Sequence, residues 1–154
     1  MGRLPPLSEA ASTDVLTTEQ RRRAMRAVRS RDTRPELTLR RAIFARGLRY
    51  RLHSDIPGRP DIVFSRARVA VFVDGCYWHS CPLHATRPKA RAEWWAAKLT
   101  RNVERDREVD VKLASLGWWV IRVWEHEIRT SRKHQIKAVV DRIETDVRER
   151  LHRR

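Results

Sequence analysis

The spacing of apolar residues along the chain predicts four helices. Apolar residues at helical spacing give one apolar face to each of four segments, which are residues 17–30, 33–47, 89–116 and 132–150. Thr17 with Gln20, and Thr33 with Glu36, have the spacing of a capping box, in which two side chains bond the free backbone groups at the start of a helix. Gly117 is expected to end the third helix, because glycine readily adopts the backbone conformation that follows a helix.

Short apolar runs between these helices predict β-strands. Patterns of strand length or extended character occur at four places, which are residues 50–53, 61–64, 69–73 and 118–124. The tryptophans of the last run, Trp118, Trp119 and Trp124, are expected to pack in the core. The resulting order of elements, ααβββαβα, is typical of an α/β sandwich in which a small mixed sheet is flanked by helices.

The length of the chain, 154 residues, suits a single domain. We expect residues 1–16 to be a flexible leader and residues 17–150 to form that domain. No apolar run approaches the ~18 residues of a membrane span, and the N-terminus lacks the apolar core of a secretory signal. The 2 cysteines do not make a disulfide framework. The composition therefore favours a soluble protein of the cytoplasm.

Basic residues dominate the charge of the chain. Its 34 Lys and Arg residues exceed its 19 Asp and Glu residues, which gives a net charge of +15 and an isoelectric point near 11.4. Lys and Arg side chains release condensed counterions when they bind phosphates, so this charge favours nucleic acid as the partner. The alternative is a solvated basic surface without such a partner.

Two carboxylates lie at matching ends of neighbouring predicted strands. Asp61 starts one strand directly after a Pro-Gly-Arg-Pro turn, and Asp74 ends the next. Mg²⁺ prefers carboxylate oxygens, and it can polarise a phosphate and help to generate hydroxide. In a very basic chain the pair favours a metal-dependent phosphodiesterase, although an Asp that stabilises its own turn is the commoner role. Glu36 has a similar alternative, because its spacing from Thr33 alone explains it as a capping residue.

A loop rich in Cys and His follows the second of these strands. Cys76, Cys81 and His84 lie close together in it, and His126, after the last strand, offers a fourth ligand. Zn²⁺ binds sulfur and imidazole nitrogen in tetrahedral sites, and a site with four protein ligands is structural. The sequence therefore predicts a structural zinc site, in which His79 could replace one of the four. The alternative is that the cysteines are buried as small apolar residues and the histidines are incidental.

The same loop carries side chains suited to DNA binding and to acid–base chemistry. Tyr77 and Trp78 are adjacent on it, and Trp94 and Trp95 lie near the start of the predicted third helix. Aromatic rings can stack on bases or wedge between base pairs. Because loops are normally at the surface, that role is favoured for Tyr77 and Trp78. His79, next to a metal-binding carboxylate, could act as a general base or acid in phosphate hydrolysis.

Several stretches of the chain match, in order, the motifs of one known protein family. They are residues 25–28, 31–33, 57–61, 71–79, 98–106 and 117–125. The combination of the Pro-Gly-Arg-Pro-Asp turn with the Gly-Cys-aromatic-Trp-His block is specific. On these residues the chain resembles the very-short-patch mismatch repair endonucleases. The resemblance implies a restriction-endonuclease-like core, a three-layer sandwich in which helices flank a small mixed sheet.

The resemblance also implies a magnesium-dependent endonuclease that nicks one strand of duplex DNA at a T·G mismatch, which arises when 5-methylcytosine deaminates. In such an enzyme Asp61 would be the principal Mg²⁺ ligand and His79 the general base or acid. Glu36 would complete the catalytic group through water bound to the metal. The second protein ligand of the metal would be either the Val73 carbonyl or the Asp74 carboxylate.

Further residues follow from the same resemblance. It implies that Tyr77, Trp78 and Trp95 wedge into the DNA beside the mismatch. The remaining candidates for DNA binding are Arg26, Arg59 and Asn102. The ligands of the implied structural zinc are Cys76, Cys81, His84 and His126. Asp106 matches the family pattern without an assigned role.

The expected partners are duplex DNA with a T·G mismatch and, as further candidates, mismatch repair proteins. The protein is expected to act as a monomer at the nucleoid and to bind no membrane. Two rival functions are a nuclease of the same fold without mismatch specificity, and a zinc-stabilised DNA-binding module without catalysis.

Overall fold

The computed structural model describes residues 17, 19–20, 22–23, 31–52, 54–84, 91–129 and 133–153. These residues form three long helices, three strands and one short 3₁₀ helix. In chain order they are α1 (Arg34–Ala45), β1 (Ile62–Phe64), β2 (Val69–Asp74), α2 (Ala92–Ser115), β3 (Trp119–Trp124), the 3₁₀ helix Glu125–Ile128 and α3 (Lys133–His152). The prediction of a small mixed α/β fold is confirmed.

The three strands form one mixed sheet in the order β1-β2-β3. β1 pairs antiparallel with β2, and β2 pairs parallel with β3, so that Asp74 lies opposite Trp124. The extended segment predicted at residues 50–53 forms only an isolated bridge, in which the backbones of Arg51 and Val63 exchange hydrogen bonds of 2.8 and 2.9 Å. The described residues of this segment make one bridge and no fourth strand.

Helices cover both faces of the sheet because β2 is apolar on both sides. Val69 and Val71 point into the larger core, which contains residues of α1 and α3. Ala70 and Phe72 point the other way and pack against Leu113 of α2. This continuous burial is what the run of apolar residues in β2 predicts for a strand covered on both faces.

The predicted helices agree with the structure where it describes them. α1 and α3 lie within or close to the predicted bounds, and α2 ends at Ser115, just before the left-handed Gly117 with φ +78°. α2 begins at Ala92 and not at 89, and residues 85–90 lie outside the described part. Most of the helix predicted at 17–30 also lies outside it. Its capping box is present, since Gln20 N donates to Thr17 Oγ1 at 3.2 Å and Thr17 N donates to Gln20 Oε1 at 2.8 Å.

One of the predicted core tryptophans is not in the core. Trp119 is 48% exposed, and its indole N–H donates to Asp146 on the surface at 3.2 Å. The side chain lies at the start of β3, where Arg150 stacks on its ring at 5.8 Å. Trp118, by contrast, packs against the smaller core beside α2. Of the helices that the structure describes, none has the length and apolarity needed to cross a membrane.

Candidate active site and metal centre

The sheet brings the predicted acidic residues to one edge. Asp61 comes directly before β1, and Asp74 is the last residue of β2. Because β1 runs antiparallel to β2 and β3 runs parallel to it, the start of β1 lies beside the ends of the other two strands. The backbone N–H of Asp61 continues the ladder by donating to the Val71 carbonyl at 3.0 Å. The expected juxtaposition of these carboxylates is therefore present.

Asp61 is held by the neighbouring strand in an environment that disfavours its negative charge. Its Oδ2 accepts a hydrogen bond of 2.7 Å from the backbone N–H of Val73. Burial raises the pKa of Asp61 to about 6, the Val73 hydrogen bond opposes this, and the charge of Glu36 adds to it. A cation bound here would relieve both unfavourable terms, so the donor set fits a hard metal ion such as Mg²⁺.

Glu36 is buried at the start of α1 and is held by three donors. Thr33 Oγ1 donates to its Oε1 at 2.7 Å, and Oε2 accepts from Asp32 N at 2.9 Å and from Arg40 Nη2 at 3.2 Å. The capping box predicted for Thr33 and Glu36 has a different form, because the Thr33 side chain makes no capping hydrogen bond to the helix backbone. Its hydroxyl is used instead to orient the Glu36 carboxylate.

Glu36 and Asp61 line the same cavity, which has a volume of about 470 Å³. Arg31, Arg40 and Arg59 line it too. Arg40 is buried and extends from Glu36 toward the Asp61 carbonyl, which lies 3.5 Å from its Nη2. The cavity thus combines carboxylates that can hold a cation with guanidinium groups that can bind phosphate.

His79 is paired with a carboxylate from α2. Its Nδ1 lies 2.6 Å from Asp106 Oδ2, and the ring is half-buried. An ionised carboxylate can only accept, so Nδ1 carries the proton of this hydrogen bond and Nε2 is left as the basic nitrogen of the neutral ring. This geometry gives Asp106, which sequence analysis left without a role, a direct contact with the predicted general base or acid.

Asp74 is engaged by an arginine from the neighbouring strand. Both of its carboxylate oxygens accept from Arg122 Nη1, at 2.9 and 3.0 Å. Burial raises the pKa of Asp74, and the charge of Arg122 opposes this shift. Of the two candidates for a second metal ligand, the Asp74 carboxylate is therefore the one already neutralised by another group.

The four predicted zinc ligands converge on one point. One ligand atom from each of Cys76, Cys81, His84 and His126 lies within 4.8 Å of the others. His126 Nδ1 is 3.2 Å from Cys76 Sγ and 3.6 Å from Cys81 Sγ, and His84 Nδ1 is 3.7 Å from Cys81 Sγ. With metal–ligand bonds of about 2.0–2.3 Å, tetrahedral ligand atoms lie about 3.3–3.8 Å apart. The donor set and its spacing therefore fit Zn²⁺, and His79 does not belong to the cluster.

This candidate metal centre joins the loop after β2 to the segment after β3. Cys76 N donates to Glu125 Oε1 at 3.1 Å, and Cys81 N donates to the Cys76 carbonyl at 2.9 Å. Burial raises the pKa of the Cys76 thiol to about 11, so a metal that binds there has to displace its proton. Both cysteines are buried, as the alternative reading of small apolar residues requires, but the convergence of two imidazoles on them favours a metal site.

The aromatic residues predicted to contact DNA form one cluster. Tyr77 packs edge-on against Trp78 and Trp95, with ring centroids 5.0 and 5.7 Å apart, and the rings of Trp94 and Trp95 are 4.8 Å apart. Lys98 Nζ lies 5.0 to 5.5 Å from the rings of Trp78, Trp94 and Trp95. Trp94 is 44% exposed. The cluster thus presents aromatic surface and a positive charge beside His79.

The remaining predicted DNA-binding residues lie in different positions relative to the site. Asn102 Nδ2 donates to the Trp78 carbonyl at 3.2 Å, so it supports the aromatic loop. Arg59 is exposed at the rim of the cavity and has a positive φ of 51°. Arg26 lies outside the described residues.

Sequence analysis missed the arginines that organise the site. Arg40 and Arg122 are both engaged with carboxylates at the sheet edge, yet neither was singled out. For Arg122 a signal existed, because a charged residue interrupts an otherwise apolar strand. A charge in such a position is expected to have a buried partner.

The chain is similar to proteins of known activity. It matches a family model described as DNA mismatch endonuclease Vsr over residues 13–84. It is 47% identical over 127 residues to the type II nicking enzyme V.NaeI of Lentzea aerocolonigenes, which covers 79% of this chain and 75% of that protein. It is 44% identical over 121 residues to the type II nicking enzyme V.XorIIP of Xanthomonas oryzae pv. oryzae, which covers 75% of this chain and 87% of that protein.

A mismatch endonuclease is among these relatives. The chain is 39% identical over 134 residues to the DNA mismatch endonuclease Vsr of Escherichia coli (strain K12), and the alignment covers 85% of each protein. The family resemblance drawn from the sequence is therefore confirmed. The chain belongs to the family of the DNA mismatch endonuclease Vsr, and it is a DNA endonuclease.

Proposed function

We propose that the protein nicks one strand of duplex DNA at a T·G mismatch in a reaction that depends on Mg²⁺. The observation that carries the proposal is that Glu36 and Asp61 line one cavity at an edge of the sheet, while His79, paired with Asp106, lies 3.7 Å from Asp74 at the same edge and next to the aromatic cluster. The names of the relatives support it, because one is a mismatch endonuclease and others are nicking enzymes.

Asp61 is the proposed principal ligand of Mg²⁺, and its raised pKa supports this role. The pairing of Asp74 with Arg122 favours the Val73 carbonyl as the second protein ligand. When bound, Mg²⁺ would neutralise phosphate charge and lower the pKa of a coordinated water. Glu36, which its three donors hold close to Asp61, would orient water at the metal.

His79 is the proposed general base. With Nδ1 hydrogen-bonded to Asp106, Nε2 can take a proton from the attacking water. The Asp106 carboxylate then stabilises the imidazolium, as a carboxylate beside a catalytic histidine does in general. In-line attack puts the leaving oxygen on the opposite side of phosphorus, so that oxygen takes its proton from water and the imidazolium later releases its proton to solvent.

Zn²⁺ is the proposed structural metal, and the spacing of its four candidate ligands supports this. His79 lies between Cys76 and Cys81 in the chain, so a metal that fixes both cysteines also fixes the backbone that carries His79. The aromatic cluster on the same loop would wedge into the DNA beside the mismatch, where a mispaired step is easier to unstack than a paired one.

A nicking assay with Mg²⁺ on two matched duplexes, one with a T·G mismatch and one fully paired, tests the proposal. Asp61→Asn is expected to abolish nicking of the mismatched strand, whereas Asp55→Asn, at an exposed acid on the same cavity, is expected to retain it. Equal cutting of both duplexes would leave a nuclease without mismatch specificity. Binding without cutting, with no effect of Asp61→Asn, would favour the non-catalytic DNA-binding module.

A second assay addresses the mismatch itself. The double substitution Tyr77→Ala with Trp78→Ala is expected to remove the preference for the mismatched duplex. Trp119→Ala is the matched control, since this exposed tryptophan lies at the start of β3, at the far end of the strand from the site. An unchanged preference in the double variant would show that other residues read the mismatch.

The architecture of the whole chain belongs to the same proposal. We infer a restriction-endonuclease-like core over residues 17–150 with residues 1–16 as a leader, in a monomer that acts at the nucleoid with mismatch repair proteins as candidate partners. Limited proteolysis is expected to trim the leader and to leave a fragment of residues 17–150. Gel filtration is expected to show a particle of 18.2 kDa.

A further inference from the structure

Arg122 is a charged side chain in the middle of β3, and it joins three elements. Its guanidinium lies 4.7 Å from the ring of Phe72 in β2. Nη1 donates to both oxygens of Asp74, at 2.9 and 3.0 Å. On the other side, Nε donates to Asp110 Oδ2 at 3.1 Å and Nη2 donates to Asp110 Oδ1 at 2.9 Å. Nη2 also donates to the Asp106 carbonyl at 3.3 Å and lies 3.6 Å from Asp106 Oδ1, so the arginine is fixed between α2 and the end of β2.

Asp74 and Asp106 compete for the same ring nitrogen. His79 Nδ1 lies 2.6 Å from Asp106 Oδ2 and 3.7 Å from Asp74 Oδ1. Asp74 is almost fully buried, with 4% of its surface exposed. A buried carboxylate without Arg122 would need another hydrogen-bond donor, and His79 Nδ1 is close enough to become that donor. Arg122 compensates the Asp74 charge by donating to both of its oxygens, and the His79 N–H bonds Asp106, the nearer of the two carboxylates.

We propose that Arg122 is a positioning residue for the nicking reaction: by engaging Asp74 it directs the His79 Nδ1 proton to Asp106. This inference rests on the proposed role of His79 as general base. If the His79 Nδ1 proton bonded Asp74 instead, the imidazole ring would be reoriented. Nε2 would then no longer point in the direction that the Asp106 hydrogen bond sets, and proton transfer would slow. DNA contacts made by the aromatic cluster would not change, so the effect falls on kcat and not on KM.

The first test compares Arg122→Met with Arg46→Met. Arg46 is a matched control, because it also bridges two carboxylates, Asp141 and Glu144, but on the exposed side of α1 and α3. Arg122→Met is expected to lower kcat on the T·G duplex by at least about tenfold, with KM within about twofold. Arg46→Met is expected to leave both unchanged. A kcat of Arg122→Met equal to that of the wild type would overturn the proposal.

A spectroscopic measurement follows the hydrogen bond directly, without Mg²⁺ or DNA. The Nδ1 proton of His79, held by Asp106, is expected to give a protected imidazole N–H resonance in the proton NMR spectrum, assigned by its loss in His79→Ala. Arg122→Met is expected to lose or shift this resonance, and Arg46→Met to keep it. An unshifted resonance in Arg122→Met would also overturn the proposal. This readout separates it from the proposed function, because a nuclease that fails to nick in every form can still show the change.

A double variant distinguishes positioning from simple support of the fold. In Asp74→Asn with Arg122→Met both charges are gone, so Asp106 again has no competitor. The double variant is expected to recover kcat to within about threefold of Asp74→Asn, together with the resonance. If it is as impaired as Arg122→Met, or much slower than Asp74→Asn, Arg122 does not act through Asp74. This comparison decides the question even if Arg122→Met alone does not fold.

Discussion

The turn that places Asp61 requires a glycine for two separable reasons. Gly58 has φ +77°, a backbone conformation that costs a residue with a Cβ about 1–2 kcal/mol. A Cβ at this position would also collide with Val109 Cγ1 of α2 and lie 3.2 Å from the ring of Phe72. Overpacking of this kind costs about 1–3 kcal/mol. We therefore expect Gly58→Ala to lower the free energy of unfolding by about 2–5 kcal/mol.

Gly47 offers a control that isolates the collision. It has a similar φ of +80°, but a Cβ there would meet nothing within 4 Å. Gly47→Ala should cost only the conformational part, about 1–2 kcal/mol. The difference between the two variants then measures the packing of the turn against α2.

Urea unfolding of both variants at one pH measures this difference. Thermal unfolding should show it too, at about 2–4 °C per kcal/mol for a chain of this size. Because Asp61 follows the turn, Gly58→Ala should also reduce nicking at temperatures where the variant is folded, and Gly47→Ala should not. Equal loss of stability in the two variants would refute the contact between the turn and α2.

Other predictions concern the metals, the pH and the salt. Removal of zinc with a chelator, or Cys81→Ala, should lower the melting temperature, whereas Ser80→Ala should not; an unchanged melting temperature after verified zinc removal would contradict a structural site. The pKa of Asp61 in the folded protein, about 6, exceeds the ordinary value of 3.8 for an aspartate, so the stability that goes with its protonated form is lost as the pH rises from about 4 to 6. Asp61→Asn should therefore stabilise the Mg²⁺-free protein at pH 7 by up to about 3 kcal/mol, a gain that vanishes near pH 3 in urea titrations. DNA affinity should fall steeply with salt, and a flat dependence would argue against the phosphate contacts.

The sequence predicted those parts of the fold in which neighbouring residues share one environment. The apolar run from Val69 to Val73 is buried on both faces up to Phe72, and its continuous apolarity marks it as a central strand. The ligands Cys76, Cys81 and His84 are close in the chain, so their meeting follows from the loop itself. His126 could be added because a parallel strand ends at the same edge, which the order of elements already implies.

Contacts between distant elements were harder to predict. Asp106 meets His79 only because α2 crosses the sheet with this face turned toward the strand ends, and helical spacing alone does not set that rotation. Trp119 has the composition of a core residue, but it lies at the start of β3, where α3 leaves its ring open to solvent. From the sequence, Arg122 is only a charged residue within an apolar strand. Its role becomes visible when the structure shows its partners, Asp74 on β2 and Asp110 on α2.

The loop over residues 75–84 has features that a structural metal at the Cys/His cluster would stabilise. Leu83 of this loop is 74% exposed and adds little to the buried surface, while the loop holds His79 within hydrogen-bond distance of α2. Backbone hydrogen bonds such as His79 N to the Gly75 carbonyl, 3.1 Å, fix only neighbouring residues. A metal held by Cys76 and Cys81 together with His126 would tie both sides of His79 to β3. Cross-linking by the proposed metal would then replace hydrophobic burial in a loop whose side chains are proposed to contact DNA.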